Sequence, residues 1–297
     1  MKIGIFGAGA VGISIACPLY DLNKYDVYFC ATASHSKRIK DGVYLNEKLR
    51  CIPTTDKMVM DYLIVAVKNY DLESSLDDIS LFVDKNTVIL PLLNGIEAHD
   101  ILKKRFVLNR VLYGMIRIEA NMNGVYVNAS KIGLIAFGER FNPDVAEYIK
   151  PLKKAFDEAN ISNEVSGDMM RSVWLKWMLN IGINQVSALT NSTYRDMHHK
   201  YLQELLYNLF LEIVALAAIE GVDIKKEDAD FFIKESLTWD SNRFTSMAID
   251  MQEKRECELE YFSGTALRLA KKRNMSLPYN EFMYKCLKAI YDNYKNK

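Results

Sequence analysis

The sequence has 297 residues, with 38 lysines and arginines and 38 aspartates and glutamates, so its formal net charge is zero. A neutral chain lacks the excess of positive charge that is typical of nucleic-acid-binding proteins, and no apolar run predicts a membrane span. The length predicts two domains, and five scattered cysteines without a CxxC motif predict reduced thiols in a cytoplasmic protein rather than a disulfide framework or a metal site.

The chain begins with the pattern of a strand, a glycine-rich turn and a helix. Residues 2–6 are apolar and partly β-branched, and three glycines follow at GxGxxG spacing before a helical pattern. In such a unit the glycines permit a tight turn, a close approach to a pyrophosphate and close packing of helix on strand. A dinucleotide site is favoured over an ordinary glycine turn, because the motif lies between a strand and a helix. The expected binding residues are those of the turn: Gly7, Ala8, Gly9, Ala10, Val11 and Gly12.

The first half then continues to alternate strands and helices. Apolar runs at residues 26–30, 61–67 and 87–93 predict strands, with helical spacing over 72–83 between the last two. Nearly unbroken apolar runs are typical of parallel strands that are buried on both faces. The pattern therefore predicts an α/β fold with an N-terminal Rossmann-type, doubly wound domain.

The next segments predict shorter strands and one more helix. Residues 42–52 have the pattern of a short hairpin, and further strands are expected at 110–119, 125–128 and 133–138, with a turn at Asn123-Gly124. A helix is expected to begin at Asn142-Pro143-Asp144 and to run to about residue 160.

From about Gly167 the strand patterns stop. Helical patterns follow over residues 169–189, 201–221, 243–272 and 280–294. We therefore predict a dinucleotide-binding domain at residues 1–167 and an all-helical C-terminal domain at 168–297, which would hold substrate and catalytic residues.

Two polar residues follow predicted strands of the first domain. Lys68 comes after residues 61–67, and Asn94 comes after residues 87–93. Ligands of an open parallel sheet bind beyond the carboxyl ends of its strands. Each residue alone is as consistent with an ordinary loop or turn, but both share the sheet edge with the glycine-rich turn, which favours a functional role.

A polar stripe is expected on the first helix of the second domain. Lys176, Asn180 and Asn184 are spaced at i, i+4 and i+8, which places them along one helical face. Such a stripe is most often solvated. Here the neighbouring Trp174 and Trp177 make full exposure improbable, and a partly buried lysine and two asparagines favour a functional site.

Alternating glutamates near residue 258 would also be read as a solvated face if they stood alone. Taken in order with the other motifs, however, they make the sequence resemble the ketopantoate reductase (2-dehydropantoate 2-reductase) family over essentially its full length. The matching pieces are GAGAVG, VAVK ending at Lys68, LLNG with Asn94, WLKWMLN with Lys176 and Asn180, then Asn184, Ser246, and ELEYFSG starting at Glu258.

The resemblance implies roles for these residues. Lys176 would be the general acid that protonates the ketone oxygen, and Glu258 would help to hold the substrate and the lysine. The implied substrate-binding residues are Asn94, Asn180, Asn184 and Ser246. The implied cofactor is NADPH, which Asn94 would also contact, and Lys68 would contact the cofactor or the substrate. The implied partner is a small-molecule 2-keto acid, with neither nucleic acid nor membrane, in a monomer or homodimer.

The sequence departs from the family where the 2′-phosphate of NADPH would bind. The arginine usually found after the second strand is replaced by Thr32. An acidic residue there would favour NADH through the ribose 2′-hydroxyl, but residues 30–38 include none. Thr32, Ser34, Lys37 and Arg38 could hold a phosphate, so NADPH is predicted.

The geometry of the third helical pattern is left open by the sequence. On one straight helix, Ser246 and Glu258 would differ by about 120° and lie about 18 Å apart. Either the helix breaks between them, or they reach a site from different sides.

The predicted activity is therefore reduction of 2-ketopantoate to pantoate, a step of pantothenate and coenzyme A biosynthesis. Two alternatives stay open: a reductase of the same fold that acts on another small 2-keto acid, and a non-catalytic dinucleotide sensor. The joint presence of Lys176, Asn180 and Glu258 disfavours the sensor, which needs no proton donor.

Overall fold

The computed structural model describes residues 1–32 and 36–295, without the side chains of residues 130–132. It divides into two compact units, Met1–Ser172 and a second unit that begins at Val173. The predicted domain boundary, Gly167, lies within the first unit.

The first unit holds the strands of the described chain. In chain order they are β1 (Lys2–Phe6), β2 (Asp26–Cys30), β3 (Val43–Leu45), β4 (Lys48–Arg50), β5 (Thr54–Thr55), β6 (Tyr62–Val65), β7 (Val88–Pro91), β8 (Arg110–Val111), β9 (Tyr113–Asn123), β10 (Tyr126–Gly138) and β11 (Asn163–Glu164). Its helices are α1 (Ala10–Asp21), α2 (Asn69–Leu72), α3 (Leu76–Ser80), α4 (Ala98–Arg105) and α5 (Lys150–Glu158).

Six of these strands form a parallel sheet in the order β5-β2-β1-β6-β7-β8. The predicted parallel strands are confirmed, and their apolar runs are buried as expected for strands covered on both faces. The chain runs outward from β1 to β2 and β5, and then outward again through β6. The strand order therefore reverses between β1 and β6, which is where open α/β sheets bind ligands.

A second sheet of five strands runs in the order β11-β10-β3-β4, with β9 paired to β10. The predicted hairpin near residue 45 and the turn at Asn123-Gly124 are confirmed by the antiparallel pairs β3–β4 and β9–β10. The strands predicted at 125–128 and 133–138 are a single strand, β10, in which two register shifts interrupt the alternation of apolar residues. Helix α1 packs against strands of both sheets, so its apolar residues join the main core of the unit.

The helix predicted to begin at Asn142 begins later, at Lys150. The Asn142 side chain accepts a hydrogen bond from the backbone N–H of Glu139 (2.9 Å) and donates to the backbone oxygens of Glu139 and Ser166 (both 2.8 Å). It therefore joins two loops instead of capping a helix. Sequence reasoning also missed α4, a short helix after β7.

The second unit is helical, as predicted. Its described elements are α6 (Met169–Leu179, which begins in the first unit), a π-helical turn (Asn180–Asn184), α7 (Gln185–Thr190), α8 (Lys200–Ile219), α9 (Lys226–Ser236), α10 (Ser246–Gln252), α11 (Ser263–Lys272) and α12 (Pro278–Lys295). The continuous helix predicted over residues 243–272 is wrong, because it is divided into α10, a 3-10 turn at Leu259–Tyr261, and α11. The α9 helix was not predicted.

One helix of the described residues, Lys200–Ile219, is long and apolar enough to cross a membrane, although the sequence analysis predicted no such run. Six of its residues, Leu206, Leu209, Phe210, Ile213, Leu216 and Ala217, are buried inside the unit. The helix thus has the inward apolar face of a core helix, which passes the same test of length and composition.

All five cysteines lie among the described residues and carry free thiols. Burial raises the pKa of Cys17 and of Cys30 to about 12. These two thiols therefore stay protonated at neutral pH, which makes them inert packing groups.

Candidate active site

The glycine-rich turn joins β1 to α1 at the edge where the strand order reverses. Gly7 adopts φ +112°, a conformation that side chains rarely adopt, and a Cβ there would lie 2.6 Å from the Ala66 oxygen. A Cβ at Gly12 would lie 1.9 Å from the Gly7 oxygen. These two glycines are therefore required by the backbone of the turn itself.

Gly9 differs from both, because a Cβ at this position would meet nothing within 4 Å. It is the N-cap of α1, where no side chain caps the helix and no acidic residue occupies the first turn. The open space over Gly9 and the N–H groups of the helix N-terminus fit a dinucleotide pyrophosphate. The turn from Gly7 to Gly12, with Ala8, Ala10 and Val11, thus has the form that the sequence predicted.

The residues predicted for the 2′-phosphate are divided between two places. Arg38 donates from Nη2 to the Ala8 oxygen at 2.5 Å, so its guanidinium lies at the glycine-rich turn. The Thr32 hydroxyl donates to Asp78 Oδ2 at 3.4 Å. Lys37 is exposed, and Ser34 lies outside the described residues.

Two loops at the carboxyl edge of the parallel sheet are joined by a residue that the sequence did not single out. The side-chain amide of Asn69 donates to the backbone oxygen of Asn94 at 2.8 Å, and Asn69 is 4% exposed. This bond connects the loop after β6, which holds the exposed Lys68, to the loop after β7. The signal in the sequence that could have identified Asn69 is an amide side chain next to Lys68, just after a predicted strand.

The polar stripe of the second unit lies on an irregular helix. Lys176 is half-buried near the end of α6, whereas Asn180 and Asn184 are 2% and 8% exposed and form the first and last residues of the π-helical turn. The single α-helix predicted over residues 169–189 is therefore wrong in its middle. π-Helical turns are rare and frequently occur at functional sites.

The π-helical turn changes how the stripe is aligned. Four residues of an α-helix turn about 400°, so each step of four drifts about 40° around the axis. A π-helical turn is closed by i→i+5 bonds and holds more residues, so four residues fall short of a full turn. The step from Asn180 to Asn184 therefore reverses the drift of the step from Lys176 to Asn180, which returns Asn184 toward the face of Lys176.

Gly182 lies in the middle of the π-helical turn. A Cβ at this position would lie 2.4 Å from Cε1 of Phe210, a core residue of α8 that is 1% exposed. The glycine thus allows a core aromatic ring to pack directly against the backbone of the π-helical turn.

The helix carrying Ser246 packs against the π-helical turn and α7. Ser246 itself is exposed, whereas the preceding Thr245 is 1% exposed. The Thr245 hydroxyl donates to the Asn184 backbone oxygen at 3.4 Å and accepts from the Ala248 N–H at 3.3 Å as the N-cap of α10. Thr245, which sequence reasoning missed, is therefore the residue that fixes α10 on the stripe.

The helix that begins at Ser246 ends before Glu258, which answers the question that the sequence left open. Lys254 has φ +56°, and the Arg255 side chain donates from Nε to Asp250 Oδ1 at 2.9 Å. The Arg255 N–H also donates to the Asp250 oxygen at 2.7 Å. These bonds end α10, so Ser246 and Glu258 do not lie on one straight helix.

Glu258 is 5% exposed and precedes the 3-10 turn Leu259–Tyr261. This turn is joined to α6, because the Trp177 ring donates from Nε1 to the Tyr261 oxygen at 3.0 Å. Trp177 is the residue next to Lys176 and is fully buried. The segment of Glu258 is thus held on the helix that also carries Lys176.

The second unit thus carries a half-buried lysine and two buried amides on one irregular helix, and the segment of the buried Glu258 is joined to that helix through the Trp177–Tyr261 bond. A lysine of this kind can donate a proton, and the amides can orient a carboxylate or hydroxyl group. Among the described residues, no group of three or more His, Cys, Asp or Glu side chains could hold a metal ion.

Comparison with known proteins gives the same assignment for both units. The family model described as "Ketopantoate reductase PanE/ApbA" matches residues 3–141, and "Ketopantoate reductase PanE/ApbA C terminal" matches residues 168–291. The chain is 26% identical to a 2-dehydropantoate 2-reductase of Aquifex aeolicus over 78% of this chain and 76% of that protein. It is 25% identical to the uncharacterized oxidoreductase YkpB of Bacillus subtilis over 96% and 97% of the two chains.

Solved structures share the fold over nearly the whole length. D-mandelate dehydrogenase, in a ternary structure with NADH and anilino(oxo)acetate, superposes with a TM-score of 0.91 at 22% identity and covers 99% of this chain and all of the other. The dimeric ketopantoate reductase of Staphylococcus aureus gives 0.84 at 20% identity over 99% and 100% of the two chains. The family models, which match both units in order, show that the chain is an oxidoreductase that belongs to the PanE/ApbA ketopantoate reductase family.

Proposed function

We propose that the chain reduces a small 2-keto acid to the corresponding 2-hydroxy acid with a reduced nicotinamide dinucleotide, with Lys176 as proton donor. The observation that carries this proposal is that Lys176 stands four and eight residues before two buried amides, Asn180 and Asn184, which begin and end a π-helical turn. A protein that only sensed a dinucleotide would need the glycine-rich turn but no such group.

The proposed roles of the residues follow from the charge that forms during reduction. The nicotinamide, when bound, supplies the hydride. The ketone oxygen then gains negative charge, and the Lys176 ammonium group polarises it and delivers the proton. Stabilisation of charge that develops in the transition state is the most effective form of electrostatic help.

The other residues of the second unit bind and orient the substrate. Asn180 and Asn184 donate amide hydrogens to the substrate carboxylate, and Ser246 adds a hydroxyl. Glu258 orients Lys176 and the substrate, since its segment is fixed to α6 through the Trp177–Tyr261 bond.

In the first unit, the turn from Gly7 to Gly12 holds the pyrophosphate, with Arg38 beside it. Lys68 and Asn94, at the ends of β6 and β7, are proposed to contact the cofactor, and Asn94 also the substrate. The sequence predicts NADPH because residues 30–38 include no acid. That prediction considers only residues 30–38 and not the acidic side chains that other elements place beside them.

Among 2-keto acids we propose 2-dehydropantoate, the substrate in the names of several relatives. A second candidate is a bulkier or aromatic 2-keto acid, because the D-mandelate dehydrogenase structures superpose with TM-scores of 0.91 and 0.89. The first candidate would place the enzyme in pantothenate biosynthesis in the cytoplasm. As one neighbour is described as dimeric, a homodimer is proposed alongside the monomer.

A turnover assay with a panel of 2-keto acids tests the proposal. The panel holds 2-dehydropantoate, 2-oxo-2-phenylacetate, 2-oxo-3-methylbutanoate and pyruvate, each with NADPH and with NADH. We expect the highest kcat/KM for 2-dehydropantoate. A higher value for 2-oxo-2-phenylacetate would select the second candidate. Dinucleotide binding without turnover of any keto acid would contradict the proposed chemistry.

A further inference from the structure

Asp78 comes from a helix that sequence analysis did not connect with the cofactor. It is half-buried on α3, and its Oδ2 accepts the hydroxyl of Thr32 at 3.4 Å across 46 residues of sequence. Its neighbour Asp77 is directed away, with a side chain that is 93% exposed and bonded to Arg105 at 3.1 Å. The two adjacent acids therefore have different surroundings.

Thr32 marks the place where the adenosine ribose of a dinucleotide binds. In Rossmann-type units, the residue that discriminates NADH from NADPH follows the second strand, about 20 residues after the glycine-rich turn. Here β2 ends at Cys30, and Thr32 lies two positions beyond it. An acid at this place accepts a hydrogen bond from the ribose 2′-hydroxyl. Asp78 brings a carboxylate to the same place from a different element.

The two basic side chains at residues 37 and 38 do not offset this carboxylate at Thr32. The Arg38 guanidinium lies at the glycine-rich turn, where it donates to the Ala8 oxygen at 2.5 Å. It can therefore serve the pyrophosphate, which NADH and NADPH share. Lys37 is exposed, and the interactions of an exposed ammonium group are weakened by salt.

From these contacts we infer that Asp78 makes the chain discriminate against the 2′-phosphate of NADPH. The inference rests on the proposed dinucleotide-dependent function. An ionised carboxylate only accepts hydrogen bonds, so it pairs with a ribose 2′-hydroxyl, which donates one. A 2′-phosphate offers acceptor oxygens and negative charge in the same position, so it is repelled. Asp78 thereby supplies the carboxylate that residues 30–38 lack.

Dissociation constants for NADH and NADPH, measured by calorimetry without any keto acid, test this inference. Asp78→Asn keeps the shape of the side chain and an oxygen for Thr32, but it removes the charge. We expect it to strengthen NADPH binding by about tenfold and to weaken NADH binding by a few-fold. The matched control is Asp77→Asn, which removes the same charge one residue away and should change neither constant by more than about twofold.

Ionic strength separates a charge effect from a structural one. If the carboxylate repels the phosphate, the difference in NADPH affinity between wild type and Asp78→Asn should shrink as salt is raised. A structural effect of the substitution would alter both nucleotides alike and would not depend on salt. Thermal unfolding of both variants checks that they are folded.

Two outcomes overturn the inference in different ways. If both nucleotides bind and their affinity ratio is the same in wild type and Asp78→Asn, the inference is wrong and the proposed function stands. If neither nucleotide binds to the folded wild-type protein, both the inference and the proposed function fail. Binding with the expected ratio change but no turnover of any keto acid would support the inference and contradict the proposed chemistry.

Discussion

The glycine-rich turn of the first unit and the polar stripe of the second are built in opposite ways. The turn is complete within a few consecutive residues, and its shape follows from the backbone freedom of Gly7 and the contact of Gly12 with Gly7. The stripe lies on one helix, but the segments beside it, which carry Ser246 and Glu258, are fixed to that helix by long-range bonds of Thr245 to Asn184 and of Trp177 to Tyr261.

The two sites should therefore respond to different kinds of substitution. A site built from local backbone geometry is damaged mainly by substitutions within the motif. A site held by long-range bonds should also respond to substitutions that never touch a ligand, because misplacement of a positioned group reduces catalysis steeply. Substitutions at Lys176, in the glycine-rich turn, at Gly182 and at Trp177 test this contrast.

The largest effect is expected for Lys176→Ala. Loss of a general acid typically lowers kcat by about 10²–10⁴-fold, whereas dinucleotide binding by the first unit should be kept. Steady-state turnover and nucleotide titration measure the two separately. Lys271→Ala, at an exposed position of α11, is the control that should retain full activity. Near-normal kcat in Lys176→Ala would remove this lysine from the mechanism.

Within the turn, the same change from glycine to valine should have different effects at two positions. Gly9→Val introduces a side chain into open space, so the protein should fold normally while nucleotide affinity falls by about 100-fold or more, since the pyrophosphate position is filled. Gly12→Val would instead force a side chain against the Gly7 oxygen and should lower the unfolding temperature sharply. Calorimetry of unfolding and of binding distinguishes the two. Unchanged NADH and NADPH affinity in folded Gly9→Val would disprove the assigned pyrophosphate site.

Gly182→Ala tests the stripe without changing any polar group. The added methyl would lie 2.4 Å from the Phe210 ring, and overpacking of this kind costs about 1–3 kcal/mol of stability. Because the π-helical turn must shift, KM for the keto acid should rise by about tenfold while nucleotide affinity stays the same. Phe210→Leu in the same chain should partly restore KM, as it makes room for the methyl. Loss of stability with an unchanged KM would show that the π-helical turn does not position the site.

The smallest effect is expected for Trp177→Phe. It deletes the hydrogen bond from Nε1 to the Tyr261 oxygen, and loss of one such bond costs about 0.5–1.5 kcal/mol. KM for the keto acid should rise a few-fold, because the segment of Glu258 is held less firmly. Trp239→Phe, which keeps an aromatic ring against Tyr194, is the control. Equal KM values in both variants would contradict a positioning role for Trp177.

The same contrast explains how far the sequence could predict the structure. The parallel strands, the glycine-rich turn and the positions of Lys68 and Asn94 follow from local patterns, since the carboxyl ends of parallel strands share one edge of a sheet. The π-helical turn was not predictable, because one extra residue in a turn barely alters the spacing of apolar side chains. The end of α10 was equally unpredictable. The chain leaves the helix at Lys254, which has φ +56°, and lysine is not one of the residues that are typical of turns.

Long-range contacts account for the rest. Asp78 lies 46 residues from Thr32, and nothing in either segment shows that they meet. The roles of Lys176 and Glu258 could be inferred from the sequence only because a family resemblance supplied the pairing. The bonds that hold their segments together, by contrast, became visible only in the fold.

The π-helical turn also bears on insertions and deletions. Removal of one residue from Asn180–Asn184, for example Ile181, would let the segment close as ordinary α-helix without interrupting it. Because a π-helical turn takes up about one residue more than an α-helical turn, the residues after the deletion would keep nearly the same rotation about the axis relative to Lys176. A relative of this protein that lacks one residue here would therefore keep both its helices and the direction of its polar side chains, whereas a single-residue gap within the regular α-helix of α6 would rotate all following residues by about 100°.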